Sequence, residues 1–399
     1  MLCQFRFQNF ASYRDETVFD MQAAGIGELR DSLIPPPEGK FSPLLPVSAI
    51  FGPNGGGKSN AINALACLIS RVLGRTGEDG DPFRISQHKC SPFLLDESSK
   101  SAPTQFELFF RTSAAQYQYQ LSLLNGLVAE ESLSCIRTPC RLRRPTFLFA
   151  RSGGRLELGG ALRRAAPQSL DPGAPFLSLL AAEHRFFPAR DAMSWFERCR
   201  GIDVGAQNRN RQLSQTLGDP EAKARLLALL AEMELPVSDC AVREEDGGIV
   251  TTHTVNGRSY RLGLEDESEG TAKLLGLLPC VLSSLDRGGP LLADELDAKL
   301  HPQLLRRVIQ LYTDPKRNPK GAQLIFTCHD VSIMKNDLLR RDEIWFAAQN
   351  SENASELWSL YDIQDKSGKR VKNAASYDRQ YLAGRFGADP YFNRILEKI

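Results

Sequence analysis

The chain has 399 residues, of which 42% are hydrophobic and 24% charged, and its formal net charge is +1. Such a composition is ordinary for a globular protein, and the length leaves room for two or three domain-sized units. The near-neutral charge excludes a global field that drives the protein onto nucleic acid or membrane. No run of about 18 apolar residues occurs, and the first residues lack a secretory pattern, so we expect neither a membrane span nor a signal peptide.

The nine cysteines are scattered along the chain, and no two of them form a C-x-x-C pair. Disulfide frameworks are typical of small secreted domains, whereas scattered cysteines in a longer chain are usually reduced and buried. We therefore expect reduced thiols and a cytoplasmic protein.

The N-terminal third is typical of an α/β domain. Residues 2–20 alternate apolar and polar side chains and predict two short strands. Residues 46–51 form an apolar run of the buried-strand type, which leads into a glycine-rich segment at 52–57. Apolar residues then recur at helical spacing over 60–73, and Gly74 is placed to end that helix.

The remaining pattern alternates strands and helices, except for an arginine-rich middle that contains strand-like pieces and then short helical ones. Further strands are predicted at 105–111, 117–124, 248–264, 290–293, 323–327 and 343–347, and helices at 221–234, 269–286, 302–313 and 331–340. No sustained heptad pattern is present, so long coiled-coil arms are not expected. We expect the middle, 131–245, to be an inserted α+β subdomain between two halves of one domain, 1–130 and 246–399.

The glycine-rich segment matches the P-loop pattern G-x-x-x-x-G-K-[ST] in full and lies between a predicted strand and a predicted helix. Glycines let several backbone N–H groups point at one phosphate, and the helix N-terminus adds its positive dipole end. The candidate nucleotide-binding residues are Gly52, Asn54, Gly55, Gly56, Gly57, Lys58, Ser59 and Asn60. Lys58 is expected to reach the β- and γ-phosphates of ATP, and Ser59 to supply a hydroxyl to Mg²⁺.

A second predicted strand, 290–293, ends in two carboxylates, Asp294 and Glu295. A P-loop needs an acidic partner for its metal, so Asp294 is the candidate Mg²⁺ residue beside Ser59. Glu295 is then placed to orient or deprotonate the attacking water. The alternative interpretation, a strand that exits into two surface acids, is disfavoured by the P-loop upstream.

Four further segments occur in a telling order: Gln8-Asn9-Phe10-Ala11-Ser12-Tyr13 before the P-loop, Glu267-Ser268-Glu269-Gly270-Thr271 before the acidic pair, Leu296–Pro302 directly after it, and an apolar strand ending at His329. This order resembles the ABC-type ATPase heads of the SMC/RecF class. The resemblance implies an α/β ABC-like head that uses ATP and Mg²⁺.

The same resemblance assigns roles to four residues outside the P-loop and the acidic pair. His329 would contact the γ-phosphate, and Asp297 would belong to the D-loop that follows the acidic pair. Ser268 and Gly270 would touch the γ-phosphate of ATP bound to a second subunit, which implies a homodimer or a higher even oligomer.

Two motifs of the family are incomplete in this sequence, the signature and the Q-loop. The signature keeps only the serine and one glycine of the usual L-S-G-G-Q, which is the minimum for a contact with a second subunit. A Q-loop glutamine cannot be placed, because Gln87 and Gln105 are both possible and neither is favoured.

A narrower resemblance links the chain to the ATPase subunits of bacterial abortive-infection and restriction-linked loci, the RloA/AbiL type. It covers about 1–130 and 220–390 and rests on segments at 267–275, 319–327, 338–346, 354–360 and 381–390. Such ATPases are understood to act beside a separate effector, often a Toprim-like nuclease such as RloB. We find no effector site in this sequence, so the resemblance implies anti-phage defence with a partner.

Eight arginines lie between Arg137 and Arg164 and are opposed by a single acid, Glu157. Arginine suits phosphate or carboxylate partners, so a patch for nucleic acid or an acidic protein is one interpretation. The other interpretation, a solvated loop face, is favoured because interleaved aromatic residues are few.

Two functions from different classes follow. In one, ATP closes a dimer that controls an effector. In the other, a RecF-like DNA-repair ATPase acts as a clamp directly on DNA, and salt-dependent DNA binding would distinguish it. A transporter ATPase fits less well, because no membrane segment is expected.

Overall fold

The structure is a computed structural model, and it describes ten stretches of the chain. These are residues 1–37, 41–74, 90–138, 144–164, 167, 169–183, 186–203, 209–364, 368–373 and 375–388. Gln87, Cys140, Arg141 and Arg143 lie outside them.

Sixteen strands form in the described stretches, most of them five to eight residues long. In chain order they are β1 Leu2–Gln8, β2 Thr17–Asp20, β3 Val47–Phe51, β4 Thr104–Arg111, β5 Ala115–Leu124, β6 Leu127–Arg137, β7 Thr146–Ser152, β8 Arg155–Leu158, β9 Arg200–Asp203, β10 Asp239–Val242, β11 Ile249–Val255, β12 Arg258–Gly263, β13 Pro290–Asp294, β14 Gln323–Thr327, β15 Ile344–Gln349 and β16 Ser355–Ser359.

Nine α-helices form in the same stretches, and two of them, α1 and α7, carry the motifs. In chain order the helices are α1 Lys58–Val72, α2 Glu97–Ser101, α3 Phe176–Ala182, α4 Phe187–Arg198, α5 Arg209–Gly218, α6 Pro220–Glu232, α7 Glu269–Arg287, α8 Pro302–Thr313 and α9 Tyr377–Leu382. The longest has 19 residues, so the described part of the chain contains no long coiled coil.

Two large sheets organise the fold. A six-stranded sheet has the order β16-β15-β3-β14-β13-β9, and all neighbours within it are parallel except the edge pair β15 and β16. A seven-stranded antiparallel sheet has the order β2-β1-β4-β5-β6-β7-β8, and β10, β11 and β12 form a small third sheet. Parallel strands end at the same edge of their sheet, so β3, β13 and β14 bring their carboxyl ends together. The predicted α/β class is confirmed.

Helix α1 lies between the two large sheets. Its buried residues share one core with the seven-stranded sheet and with Leu292 and Ile325 of the six-stranded sheet. The neighbouring residues Leu291 and Leu324 belong instead to a second core that contains α7 and α8. Because side chains alternate between the faces of a strand, α1 and α7 pack on opposite faces of the six-stranded sheet.

The predicted helix at 60–73 is confirmed and begins two residues earlier, at Lys58. Gly74 has a φ of 64°, the left-handed conformation that ends many helices. The helix predicted from 221 is also confirmed, since the Asp219 carboxylate accepts hydrogen bonds from the backbone N–H groups of Glu221 and Ala222.

One predicted helix, at 331–340, is wrong. The chain forms only a short 3₁₀ turn at Val331–Ile333, followed by turns. The apolar residues Ile333, Met334, Leu338 and Leu339 are all buried in the second core. Tertiary packing of these residues overrides the local helical pattern.

The middle segment contributes to both large sheets. Strands β6, β7 and β8 extend the antiparallel sheet, and β9 pairs with β13 in the six-stranded sheet. Helix α5 packs on α7. The boundaries at 130/131 and 245/246 stay a prediction.

The expectation that every cysteine is a reduced thiol is wrong for one pair. Cys67 of α1 and Cys90 form a disulfide, with their Cα atoms 6.5 Å apart. Sequence spacing does not reveal such proximity, because bridging depends on the distance between Cα atoms in the fold. The described free cysteines, Cys3, Cys135, Cys199, Cys240, Cys280 and Cys328, are all buried.

No helix in the described stretches combines the length and apolar character needed to cross a bilayer. The described stretches also contain no group of three or more His, Cys, Asp or Glu residues that could jointly hold a metal ion.

Candidate functional site

The P-loop connects β3 to α1 and packs tightly against the neighbouring strands β15 and β16. A Cβ atom on Gly52 would lie 2.0 Å from the Ala347 carbonyl oxygen, and one on Gly57 would lie 2.4 Å from the Ser355 Oγ. Gly57 also has a φ of 104° and forms the N-cap of α1. Side chains at these positions would collide with neighbours, so the loop requires glycine there. Asn54 and Gly55 are exposed at its tip.

The segment at residues 8–13 docks directly on the P-loop. The Tyr13 hydroxyl donates to the Gly57 carbonyl oxygen at 3.2 Å. The Asn60 amide donates to the Ser12 Oγ at 2.9 Å, and the Ser355 hydroxyl donates to the same oxygen at 2.8 Å. Asn60 was predicted as a nucleotide-binding residue; its amide here fixes the first turn of α1.

Lys58 folds back over the loop that precedes it. Its ammonium donates to the carbonyl oxygens of Gly52, at 2.9 Å, and Pro53, at 3.0 Å. Burial lowers the pKa of the Lys58 ammonium, and the charges of Asp294 and Glu295 oppose that shift. The ammonium is therefore held at the mouth of the loop.

Ser59 and Asp294 meet although 235 positions separate them along the chain. The Ser59 hydroxyl donates to the Asp294 Oδ1 at 3.0 Å. The Thr327 hydroxyl, at the end of β14, donates to the same oxygen at 2.6 Å and accepts a hydrogen bond from the Glu295 N–H at 2.7 Å. The start of α1 and the ends of β13 and β14 are joined in this way.

A hydroxyl oxygen beside a carboxylate oxygen fits Mg²⁺, which prefers oxygen ligands and keeps several waters. The donor set of Ser59 and Asp294 is therefore compatible with the metal that the P-loop motif implies.

The turn after β13 is held to the end of β14. The Asp297 Oδ2 accepts hydrogen bonds from the backbone N–H groups of His329 and Asp330, each at 2.9 Å. Glu295 and Lys299 in this turn have positive φ values of 48° and 62°. Such values are uncommon for residues other than glycine and mark a backbone that its surroundings must hold in place.

His329 lies two residues beyond β14, which runs between β3 and β13. His329 is exposed, and it lies at the edge of the six-stranded sheet that carries the P-loop and the acidic pair. The fold thus gathers Lys58, Ser59, Asp294 and Glu295 at one edge and adds His329 to that edge.

The signature segment lies at the start of α7, which packs on the opposite face of the six-stranded sheet from α1. Ser268 is the N-cap of α7, and its Oγ accepts a hydrogen bond from the Thr271 N–H at 3.1 Å. Ser268 is exposed. A Cβ atom on Gly270 would lie 3.2 Å from the Lys299 carbonyl oxygen, so the start of α7 packs closely on the turn after β13.

The remaining candidates do not join the site. Gln105 is exposed on β4, in the antiparallel sheet. Arg151 is buried and donates to the carbonyl oxygens of Asp171 and Ala174, which is a structural role. The other described arginines of the cluster at 137–164, Arg137, Arg144, Arg155, Arg163 and Arg164, are exposed.

Sequence reasoning assigned no role to three residues that touch the site. Thr327 bridges Asp294 and Glu295, Ser12 anchors Asn60, and Lys273 contacts the turn after β13. The available signal was a polar residue within or beside an otherwise apolar element. Such a residue needs a hydrogen-bond partner when it is buried.

Comparison with known proteins identifies a family and a likeness in fold. Residues 47–335, more than half of the chain, match the family model described as "AAA domain, putative AbiEii toxin, Type IV TA system". The structure is similar to the SMC head domain from Thermotoga maritima, with a TM-score of 0.40 and 16% identity over 91% of this chain and 99% of that chain. No curated protein matches the sequence.

Proposed function

The chain belongs to this family of AAA domains, and from that premise we propose that it binds Mg·ATP at Gly52–Ser59 and hydrolyses it. The observation that carries the proposal is the 3.0 Å contact between Ser59 and Asp294. A P-loop hydroxyl and a strand-end carboxylate are the two protein groups that hold Mg²⁺ in P-loop ATPases. Membership of an ATPase family and this contact support the same chemistry independently.

In this proposal the backbone N–H groups of the P-loop receive the phosphates, and Lys58 exchanges its two carbonyl partners for phosphate oxygens. Ser59 and Asp294 would hold Mg²⁺, which supplies positive charge to the β- and γ-phosphates when bound. Glu295 orients the attacking water and accepts its proton. His329, at the same edge, contacts the γ-phosphate.

We further propose that ATP closes a dimer of two copies. Ser268 is exposed at the N-terminus of a 19-residue helix, whose positive dipole end attracts phosphate. It is five residues from Lys273, which contacts the turn after β13, so the signature and the catalytic turn can move together. Ser268 and Gly270 of each copy would then complete the site of the other, and Asp297 would lie in the interface.

We also propose a defence role in the cytoplasm. In this role the ATP-bound dimer controls a separate effector of the Toprim-like nuclease type. It is supported by the resemblance to abortive-infection ATPases and by the printed name of the family, which refers to a toxin–antitoxin system. The exposed part of the segment 131–245 is the proposed effector-binding region. The defence role rests on analogy with relatives rather than on the geometry of the site.

The decisive experiment is the mass of the purified chain with and without Mg·ATP, for wild type, Glu295→Gln and Lys58→Ala. Glu295→Gln keeps the shape of the side chain but removes the carboxylate, so it should trap a larger assembly that contains unhydrolysed ATP. Lys58→Ala should remain at the mass of the nucleotide-free protein. Equal masses in all conditions would contradict closure by ATP.

A second measurement separates the effector from DNA as the partner. Copurification with a neighbour-encoded nuclease supports the defence role. Strong DNA binding by the chain alone, with an affinity that falls steeply as salt rises, supports the RecF-like clamp instead. If it does, Arg155→Ala and Arg163→Ala variants would show whether the exposed arginines carry it.

A further inference from the structure

A buried lysine, Lys273, connects the signature helix to the turn that carries Glu295. Its side chain lies in the second turn of α7, and the residue is 1% exposed. Its ammonium donates to the carbonyl oxygens of Glu295, at 3.2 Å, Leu296, at 2.8 Å, and Ala298. A lysine has three N–H donors, and three carbonyl groups of a single turn face them.

Burying the Lys273 ammonium has a free-energy cost. Removing an ammonium group from water is unfavourable, and lysine is among the residue types that are rarely fully buried. The cost is offset here by charge-assisted hydrogen bonds to backbone oxygens, which are stronger than neutral ones. These oxygens belong to a turn and not to a helix end, so the lysine fixes a local conformation.

That conformation is an uncommon one. Glu295 has a φ of 48°, and Lys299 four residues later has a φ of 62°. The Glu295 N–H donates to the Thr327 Oγ1, and its carbonyl oxygen accepts from Lys273. Both backbone polar groups of Glu295 are thus held by side chains, one from β14 and one from α7.

We infer that Lys273 is a positioning residue that holds the left-handed turn of Glu295 and so aims its carboxylate at the γ-phosphate. It also ties that turn to the helix that begins at Ser268. Lys273 touches neither ATP nor water in this role. The inference rests on the proposed ATPase function, and its physical core, a lysine that fixes a strained turn, can be tested without hydrolysis.

The test compares Lys273→Met, which keeps the length and apolar stem but removes the donors, with wild type. Lys320→Met is the matched control, because Lys320 is exposed and donates to a single backbone oxygen, that of Asp286, at the other end of α7. Two quantities are measured: the kcat for ATP against the Kd of a fluorescent ATP analogue, and amide hydrogen exchange of residues 295–300 in the nucleotide-free protein.

We expect Lys273→Met to lower kcat by roughly tenfold or more, because misplacing a catalytic group by about 1 Å can cost about a hundredfold. The Kd of the nucleotide should stay within about threefold of the wild-type value, since the P-loop is untouched. For comparison, loss of one hydrogen bond to a charged group can change an affinity about tenfold. Exchange of residues 295–300 should become faster, while exchange of the β3 amides stays unchanged. Lys273→Arg keeps the charge and some donors, so it should recover part of kcat.

Three results would overturn the inference: unchanged exchange of residues 295–300, unchanged kcat, or equal losses of kcat and of nucleotide binding in a folded variant. If Lys273→Met does not fold, the same readouts apply to Lys273→Arg. If wild type itself does not hydrolyse ATP, the proposed function fails, and the exchange measurement still decides whether Lys273 holds the turn.

Discussion

The P-loop site and the signature segment differ in how many of their contacts a single chain supplies. Beside the ends of β13 and β14, the hydroxyl groups of Ser59, from the start of α1, and of Thr327 both donate to the Asp294 carboxylate. At the N-terminus of α7, Ser268 is exposed, and its hydroxyl is bonded to Thr271 of its own helix. In the proposed function the P-loop site would hold Mg²⁺, whereas Ser268 of the signature segment is exposed.

The difference has a topological cause. Asp294 and Thr327 lie at the ends of neighbouring strands of one parallel sheet, and the P-loop that follows the next strand, β3, places Ser59 beside them at the start of α1. Helices α1 and α7 pack on opposite faces of that sheet, so their N-termini lie on different faces of it. Ser268 at the N-terminus of α7 can contact a phosphate only if another molecule supplies it.

Lys58→Ala should have the largest effect. Its ammonium is the one buried cation that the P-loop itself provides, and it would bond both the β- and the γ-phosphate. Each hydrogen bond to a charged group contributes about 1.5–3 kcal/mol, so we expect ATP binding, measured by titration calorimetry, to weaken by at least about a hundredfold. Lys316→Ala, on an exposed loop, is the control, and equal affinities in the two variants would refute the P-loop assignment.

Mixing two inactive variants should restore activity if Ser268 works across a dimer. Lys58→Ala and Ser268→Ala each lose hydrolysis alone. A dimer with one copy of each contains one site with both residues intact, so random mixing should return about a quarter of the wild-type sites. Steady-state ATPase activity of the mixture against each variant is the measurement. No recovery, with mixed dimers confirmed by mass, would mean that Ser268 acts within its own chain or not at all.

Thr327→Val should have an intermediate effect on the P-loop site. The change keeps the shape of the side chain but removes the hydroxyl that bonds both the Asp294 carboxylate and the Glu295 N–H. A hydrogen bond to a charged group contributes about 1.5–3 kcal/mol, so kcat should fall roughly tenfold to a hundredfold. The Mg²⁺ concentration for half-maximal rate should rise. Thr327→Ser retains the hydroxyl and should behave like wild type; if it does not, the methyl group matters instead.

Glu343→Gln should have the smallest effect, and it concerns stability. Burial raises the pKa of Glu343 to about 8, against an ordinary 4.5. Between these values the folded protein binds a proton that the unfolded chain has released. The contribution of Glu343 to stability is therefore fully present below pH about 4.5 and is lost as pH rises through about 8.

Glutamine stays neutral, and its carbonyl oxygen can still accept the hydrogen bond from the Arg340 N–H. The melting temperature of Glu343→Gln should therefore decline less between pH 6 and pH 9 than that of wild type. Thermal melts at both pH values measure this. Parallel declines would show that Glu343 is ionised throughout this pH range, with its charge favoured by Arg340.

The sequence predicted the parts of the fold that local chemistry determines. The P-loop pattern gave the strand and helix on either side of it, and both formed within two residues of the predicted bounds. The Asp219 N-cap and the left-handed Gly74 were read correctly for the same reason, because each satisfies a local backbone requirement. The α/β class followed from the alternation of strands and helices.

The failures came from residues whose partners lie far along the chain. The helix expected at 331–340 gave way because four apolar side chains in it are buried in the core. The Cys67–Cys90 disulfide and the sheet partners of the middle segment were equally invisible, since spacing does not reveal which distant segments meet.

By itself the sequence determined which chemical groups the protein has for ATP: the glycine-rich loop, Lys58, Ser59 and the two acids. These are fixed by residue type and order, and no folding is needed to read them. Only the tertiary structure decided that Thr327 bonds Asp294 and the Glu295 N–H, and that Lys273 bonds the turn that carries Glu295. Such contacts join residues that lie 22 to 33 positions apart along the chain. The order of strands in the sheet and the packing of α7 bring them within hydrogen-bond distance.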